Sequence, residues 1–311
     1  MTGSKIVALG HYQPAKVLTN DDLATFVDTS DEWIRTRVGI RTRHVAETET
    51  VDEMAAYAAE KALSASGLGA SDIDLVVVAT CTAVDKCPNM SARVAAKLGV
   101  RSPAAYDINT ACSGFCYGLA TADHAIRAGA ARTAVVIASE KLTEVTDWSD
   151  RTTCVLVGDG AGAAVVTAAA TPEIGPVVWG SVPEMGSAVR IEGVPGVFAQ
   201  EGLAVFRWAT SAVAPLARLA CERAGIAPEE LAAFVPHQAN LRIIEPLARQ
   251  LGAPDAIVAR DVVESGNTSA ASVPLALSKL VERGELASGA PVLLFGFGGG
   301  LTYAGQVVRC P

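Results

Sequence analysis

The sequence predicts an α/β fold built from two similar halves. Apolar, β-rich runs alternate along the whole chain with alanine-rich helical patterns, which is typical of helices packed on sheets. The strand candidates are residues 73–79, 133–138, 161–167, 232–235, 292–295 and 304–308, with the N-terminal residues as a first strand. The helical patterns lie near 52–66, 89–98, 113–128, 205–224, 239–251 and 271–283.

A faint internal repeat is the second observation. Gly67 and Gly225, 158 positions apart, each precede a strand, a helix that ends in Leu-Gly, a further strand and a turn. The turns are residues 109–112 in the first half and 267–270 in the second, and each half finishes with a strand, a glycine-rich turn and a strand. Self-similarity of alternating chains also arises by chance, but here several landmarks recur in order. We therefore expect two halves, residues 1–168 and 169–311, whose equivalent turns meet.

Composition restricts the function. Half of the 311 residues are hydrophobic and the net charge is −8, so we expect a large core and no broad nucleic-acid-binding face. The seven cysteines are irregularly spaced, without a Cys-x-x-Cys pair, and predict neither zinc binding nor a disulfide framework. Reduced thiols and a cytoplasmic location fit this pattern. The first residues lack a signal-peptide core, and the apolar runs are too short for a transmembrane helix.

Cys112 is the strongest candidate nucleophile. It follows an apolar strand pattern and opens a small-residue helical run, which places its thiol at a helix N-terminus. The free N–H groups and the dipole there favour an anion, so we expect a stabilised thiolate. A buried structural thiol is an equally good interpretation of this segment alone.

His237 is the histidine best placed for chemistry, because it follows the strand at 232–235, and ligands of open α/β sheets bind beyond the strand carboxyl ends. Asn267 lies in a Gly-Asn turn before a helix, where a capping role is the ordinary interpretation. The glycine-rich residues 296–300 fit neither nucleotide-binding fingerprint, so we expect backbone N–H groups with close access to a ligand.

Taken together, these segments resemble the thiolase superfamily and, within it, the β-ketoacyl-acyl-carrier-protein synthase III family. The resemblance runs nearly the whole chain and includes TSDEWI at 29–34, NTACSGF at 109–115, GDGAG at 158–162, PHQANLRII at 236–244, GNTSAAS at 266–272 and FGGG at 297–300. It implies a five-layer αβαβα thiolase-like fold and an acyltransferase that uses no cofactor and no metal. The implied catalytic triad is Cys112, His237 and Asn267.

The resemblance also implies a reaction and its binding residues. An acyl-CoA primer would acylate Cys112 and then condense with malonyl-acyl carrier protein, losing CO2 and initiating fatty acid synthesis. A homodimer is implied, with the loop near position 87 reaching the partner's pocket. The implied contacts are the N–H groups of Cys112 and Gly299 for the oxyanion, Trp33, Arg37, Arg151 and Asn240 for CoA, Cys87 and Phe297 for the acyl group, and Arg207, Arg242 and Arg249 for the carrier protein.

The sequence departs from this family in two places. Position 87 is Cys where acetyl-selective members have Phe, which favours branched or longer primers, and residues 181–199 form a shorter segment than usual.

Three rival interpretations of the function stay open at this point. They are a priming synthase or acyltransferase of polyketide assembly on the same fold, a Cys-His-Asn hydrolase, and a catalytically silent binding protein.

Overall fold

The computed structural model describes residues 3–193 and 196–311. The strands are β1 (Gly3–Tyr12), β2 (Val17–Thr19), β3 (Thr42–His44), β4 (Leu75–Ala79), β5 (Ala104–Ile108), β6 (Thr133–Lys141), β7 (Asp159–Ala169), β8 (Val178–Ser181), β9 (Val189–Gly193), β10 (Gly196–Gln200), β11 (Ala233–Pro236), β12 (Ile257–Val258), β13 (Pro291–Gly298) and β14 (Thr302–Arg309). The α-helices are α1 (Asn20–Leu23), α2 (Asp31–Arg37), α3 (Val51–Ser66), α4 (Met90–Lys97), α5 (Gly114–Arg127), α6 (Gly202–Arg223), α7 (Leu241–Leu251), α8 (Val262–Ser265) and α9 (Ser272–Glu282).

Two mixed sheets of five strands carry the fold, in the orders β1-β7-β6-β4-β5 and β12-β11-β13-β14-β8. Read from opposite ends, the two orders are the same, since β8, β14, β13, β11 and β12 take the places of β1, β7, β6, β4 and β5. In each sheet, one long strand pairs antiparallel to its neighbour and parallel to the next. The expected α/β fold with two similar halves is confirmed, while the exact division at residue 168 stays a prediction.

The helices and sheets stack in five layers. Helices α3 and α4 cover the outer face of the first sheet, and α6 and α7 cover the outer face of the second. Helices α5 and α9 lie between the sheets in a shared apolar core. Both central helices are buried over most of their length, which explains why their sequences are apolar around nearly the whole circumference.

The turns that precede the two central helices have matching conformations. Residues Ala111–Ser113 and Ser269–Ala271 each form a single 3-10 turn. Ala111 has φ of 44° and Ser269 has φ of 47°, a region that side-chain-bearing residues rarely adopt. Ala111 and Ser269 are 158 positions apart, the same offset as in the sequence repeat. The two equivalent strained turns therefore lie at the N-terminal ends of α5 and α9, where the halves meet.

Candidate active site

One cavity of about 660 Å³ opens at the junction of the two halves. Cys112, His237 and Asn267 all line it, together with Phe297 and Gly299. Its outer walls come from α6, α7 and the β9–β10 hairpin, in which Val189, Ile191 and Phe198 present apolar side chains to the cavity. The structure thus brings the three predicted triad residues to one space, although they are far apart in the sequence.

Cys112 lies in the 3-10 turn that leads into α5. Burial raises the pKa of the Cys112 thiol. The N–H of Gly299, the hydroxyl of Ser269 and the backbone N–H of Cys112 act to lower that pKa and offset the effect of burial only in part. The prediction of a stabilised thiolate was therefore wrong, because removing the thiol from water raises its pKa more than the donors lower it.

The turn at residues 298–300, beside Cys112, has a backbone conformation that favours glycine. Gly298 has φ of 150°, and a Cβ there would lie 2.7 Å from the Sγ atom of Cys112. Gly300 has φ of 103°. The Thr302 hydroxyl lies 2.9 Å from the Gly299 carbonyl and 3.0 Å from the Thr110 carbonyl, and so ties this turn to the nucleophile turn.

His237 is buried at the carboxyl end of β11, and its ring stands edge-on to Phe297 with centroids 5.6 Å apart. Its Nδ1 atom is 2.8 Å from the Ser272 hydroxyl, which also accepts the N–H of Gln238 at 3.2 Å. The serine proton finds no other acceptor among the described residues, so we assign it to Nδ1, which leaves the histidine proton on Nε2. Burial lowers the pKa of His237 to about 3, so the ring is a neutral donor at pH 7.

Asn267 is held by the opposite half of the molecule. Its backbone N–H donates to Leu156 at 2.8 Å and its carbonyl accepts from Gly158 at 3.0 Å, forming a parallel bridge with Val157. A Cβ on Gly158 would lie 2.3 Å from the Ser265 carbonyl oxygen, which explains a glycine at this position. The Asn267 Oδ1 atom accepts the N–H of Ser269 at 2.8 Å, so its amide NH2 group is left as a donor.

The residues expected to bind CoA lie at the cavity mouth or close to it. Arg37 and Asn240 line the cavity. Asn240 also caps α7, since its Oδ1 accepts the N–H of Ile243 at 3.1 Å and leaves its NH2 group available. Trp33 and Arg151 do not line the cavity, but the Arg151 guanidinium lies over the Trp33 ring, 5.1 Å from its centroid.

Of the three arginines expected to bind the carrier protein, Arg242 lines the cavity and Arg207 and Arg249 do not. Arg242 and Arg249 are exposed on α7 and line a shallow groove of about 390 Å³ that also includes Arg35. Arg242 lies over the Phe206 ring at 5.5 Å and lines the main cavity as well. Arg207, on α6, is exposed but lines neither space.

Cys87 is not part of the cavity in the single chain. It is exposed, in a loop whose residues 83–88 are all exposed. The shortened segment at 181–199 contributes β9 and part of β10, and both strands do line the cavity. Residues 194 and 195, between those two strands, lie outside the described residues.

Sequence reasoning assigned no role to Ser269, Ser272 or Glu140. The two serines were visible in the motif at 266–272, and the repeat offset places Ser269 opposite Ala111, beside the nucleophile. Glu140 is the last residue but one of β6 and is fully buried. A carboxylate at the carboxyl end of a parallel strand was the signal that could have identified it.

Three structural observations concern metal binding, the cysteines and the membrane. No group of three or more His, Cys, Asp or Glu side chains among them is arranged to hold a metal ion. All seven cysteines are free. None of the helices in the described part of the chain has the length and apolarity needed to cross a membrane.

Two mixed five-stranded sheets around a buried pair of helices, with a thiol where the halves meet, define a condensing enzyme of the thiolase-like fold. The family models for the 3-oxoacyl-acyl-carrier-protein synthase III and for its C-terminal part match residues 106–183 and 221–310. The priming β-ketosynthase of the R1128 polyketide pathway superposes with a TM-score of 0.98 at 41% identity, over 100% of this chain and 97% of that one. The synthase III of Aquifex aeolicus gives 0.95 at 40%, over 99% and 100%.

Relatives cover the full length of the chain. The β-ketoacyl-acyl-carrier-protein synthase III 2 of Streptomyces avermitilis is 70% identical over 100% of both chains. The synthase III 4 of Streptomyces coelicolor is 67% identical over 99% of both. The chain belongs to the β-ketoacyl-acyl-carrier-protein synthase III family.

Proposed function

We propose that this protein condenses an acyl-CoA primer with malonyl-acyl carrier protein, giving 3-oxoacyl-acyl carrier protein, CoA and CO2, and so initiates fatty acid synthesis. One observation carries the proposal: the Cys112 thiol and the backbone of Gly299 line the same cavity as a neutral histidine donor and a free amide donor. Thiol, oxyanion donors and enolate donors are the three parts that this two-stage reaction needs.

In the first stage, Cys112 Sγ attacks the thioester carbonyl of the acyl-CoA. The new C–S bond forms while the carbonyl oxygen becomes an oxyanion, and the N–H groups of Cys112 and Gly299 hold it. The bond to the CoA sulfur then breaks and leaves acyl-Cys112. Loss of one such donor typically costs about 3–4 kcal/mol of transition-state stabilisation.

In the second stage, malonyl-acyl carrier protein enters and loses CO2. The Nε2–H of His237 and the NH2 group of Asn267 would donate to the malonyl thioester oxygen and stabilise the enolate. A neutral ring suits this role, because its Nε2 proton is present at every pH above its lowered pKa. The enolate carbon then attacks the acyl-Cys112 carbonyl, and Cys112 leaves as the new C–C bond is completed.

The two stages can be separated with His237→Ala and Asn267→Ala. Both variants should load an acyl group onto Cys112 but decarboxylate malonyl-acyl carrier protein about 10²–10³ times more slowly, the usual effect of losing one such donor. Release of CO2 and acyl-enzyme mass are the measurements. Wild-type decarboxylation in either variant would remove that residue from the proposed role.

CoA would bind across the cavity mouth, with Arg37 at its phosphates and Asn240 at its pantetheine arm. A purine ring stacked between Trp33 and Arg151 needs two contacts of roughly 3.5 Å each. The present separation of 5.1 Å is smaller, so Arg151 must move outward on binding. Within residues 3–193 and 196–311, its hydrogen bonds go to Asp28, at 2.9 Å to the carbonyl and 3.5 Å to the carboxylate, and both are exposed.

The carrier protein would dock on the arginines of α7. Carrier proteins are acidic, and Arg242 and Arg249 lie on one exposed face beside the cavity mouth, with Arg207 on the neighbouring helix. Arg249→Glu should raise the KM for malonyl-acyl carrier protein and leave acyl-CoA loading unchanged. Arg283→Glu, an exposed charge reversal at the end of α9, is the matched control. Equal losses in both stages would contradict this docking surface.

A homodimer would form across β5, the edge strand of the first sheet. Among the described strands, β5 pairs with β4 on one side and with none on the other. The apolar Tyr106 and Ile108 of β5 are only half-buried, and Val84, in the loop at residues 83–88, is 75% exposed. Pairing would carry Cys87 into the partner's acyl pocket beside Phe297, and its small side chain would admit branched or longer primers. Light scattering should give the mass of a dimer, and Cys87→Phe should shift kcat/KM toward acetyl-CoA; a monomer contradicts this arrangement.

A priming synthase of polyketide assembly is the second candidate, favoured by the TM-score of 0.98 with the R1128 priming β-ketosynthase. The chemistry is the same and the primer and acceptor differ. Competition between a fatty acid carrier protein and a polyketide carrier protein for the acyl-enzyme distinguishes the two candidate functions.

We also propose that the protein is located in the cytoplasm, since its cysteines are all free thiols.

A further inference from the structure

Cys81 forms part of the apolar wall of the cavity. It packs in one apolar cluster with five other side chains that line the cavity, namely Leu142, Leu156, Val189, Ile191 and Phe198. It also lies two residues after the end of β4, where the chain enters the loop that leads to α4. The position of Cys81 therefore affects both the apolar wall and the direction of that loop.

Glu140 holds this point of the chain with a buried carboxylate. It lies on β6 and is 0% exposed. The hydroxyls of Thr82 and Thr80 donate to it at 2.7 Å and 3.1 Å. The Cys81 N–H lies 3.1 Å from Oε2 and 3.2 Å from Oε1, and the Cys81 thiol donates to Oε1 at 3.2 Å. Three consecutive residues thus surround one group that accepts through both of its oxygens, and hydrogen bonds of this kind are the stronger ones.

The two threonine hydroxyls complete this arrangement. Thr80 Oγ1 accepts the N–H of Thr82 at 3.1 Å, and Thr82 Oγ1 accepts the N–H of Lys141 at 3.0 Å. Each hydroxyl therefore keeps its single proton for Glu140. Thr80 and Thr82 are 4% and 5% exposed, so little water competes for these bonds. The direction of the chain at residues 80–82 consequently depends on one side chain of β6.

The loop that follows is much less constrained. Residues 83–88 are all exposed. At the far end of the loop Asn89 caps α4, and Asp85 forms an ion pair with Arg93 of that helix. An ion pair between exposed side chains contributes little to stability. Glu140 and the cap of α4 are therefore the two points that fix the loop.

We propose that Glu140 is a positioning residue for primer selectivity, which holds Cys81 in the cavity wall and directs the loop at 83–88. Glu140 does not line the cavity and acts through Cys81 and Thr82. The Cys81 thiol donates away to Glu140, so it contributes a small apolar surface to the side of the cavity that receives an acyl chain. The inference rests on the proposed acyl loading and adds to it the group that keeps this side of the cavity in place.

Glu140→Gln is the direct test, because it keeps the shape of the side chain but replaces one acceptor oxygen with a donor. A wall in a fixed position distinguishes acyl groups that differ by one methylene by about 10–200-fold. Loading is measured by intact mass with acetyl-, isobutyryl- and hexanoyl-CoA. The ratio of the highest to the lowest kcat/KM among these primers should fall about tenfold in the variant. Discharge of the acyl-enzyme by malonyl-acyl carrier protein should keep its wild-type rate.

Two further variants separate positioning from a general loss of structure. Thr82→Val removes the shortest bond to Glu140 from its other end, so it should reduce selectivity by a similar factor, and the double variant should show no further loss. Ser139→Ala is the matched control, since Ser139 is a fully buried hydroxyl of β6 that donates to the Val51 carbonyl instead. A wild type that loads all primers equally, equal losses for every primer, additive effects in the double variant, or the same change in Ser139→Ala overturns the proposal.

Trypsin provides a measurement that needs no substrate, because Lys86 is exposed within the loop. Cleavage after Lys86 should be about tenfold faster in Glu140→Gln and Thr82→Val, the effect on local opening of losing one hydrogen bond to a charged group. Cleavage after Lys16, exposed between β1 and β2, is the internal reference and should not change. Unchanged cleavage after Lys86 overturns the role of Glu140 in holding the loop. A wild type that no acyl-CoA loads refutes the proposed function and with it the selectivity role, while the cleavage rates separately decide whether Glu140 fixes the loop.

Discussion

Replacing Ser272 by alanine isolates what one hydroxyl contributes to the orientation of His237. The hydroxyl lies 2.8 Å from Nδ1 and both groups are buried, so no water replaces the lost partner without rearrangement. A buried nitrogen left without a partner costs about 1–3 kcal/mol, and the cost falls on the tautomer whose proton is on Nε2. Since about 1.4 kcal/mol corresponds to a factor of ten, condensation should slow roughly 5- to 150-fold.

Loading should not change in Ser272→Ala, because Cys112 reaches its acyl group without the histidine. The assay mixes pre-acylated enzyme with malonyl-acyl carrier protein and follows CO2 release, while intact mass follows loading separately. Nitrogen-15 NMR of the ring should show a mixture of tautomers in place of one. Equal slowing of both stages, or unchanged condensation with a changed tautomer, would refute the reasoning.

Three further predictions follow from the same geometry. Gly298→Ala should abolish loading, since its Cβ would meet Cys112 Sγ at 2.7 Å in a backbone region with φ of 150°; normal acylation by intact mass contradicts this. Condensation by pre-acylated enzyme should show no histidine ionisation between pH 5 and 8, because the pKa of His237 is lowered to about 3, and an acid limb near the ordinary pKa of about 6.5 would contradict it. The same shift lowers folding stability as pH falls below that ordinary value, since only the unfolded chain takes up the proton. Limited alkylation should label Cys112 before Cys81, although both line the cavity, because burial and then the charge of Glu140 raise the pKa of Cys81 well above its ordinary value; peptide mapping decides it.

The periodic segments of this fold were predictable from the sequence. The strands at 133–138 and 161–167 and the helices at 52–66 and 113–128 appear as β6, β7, α3 and α5 with small changes at their ends. Hydrophobic periodicity and glycine stops determine such elements locally. The glycines that define the repeat, Gly67 and Gly225, both adopt left-handed conformations, with φ of 71° and 68°.

Other features depend on tertiary contacts and have little local signal. The short strands β9 and β12 have too few residues for a period to show. The raised pKa of Cys112 depends on the cavity walls that both halves supply, so the sequence indicated the donors around the thiol but not the cost of removing it from water. Glu140 and Ser269 are distant from Cys81 in the sequence, and only tertiary packing brings both side chains to its thiol.

Intact mass spectrometry after incubation with acetyl-, isobutyryl- and longer acyl-CoAs tests the central claim most directly. The account predicts a gain of one acyl group, absent in Cys112→Ser and discharged by malonyl-acyl carrier protein with release of CO2. Acylation that survives in Cys112→Ser, or no acylation by any acyl-CoA, would contradict it.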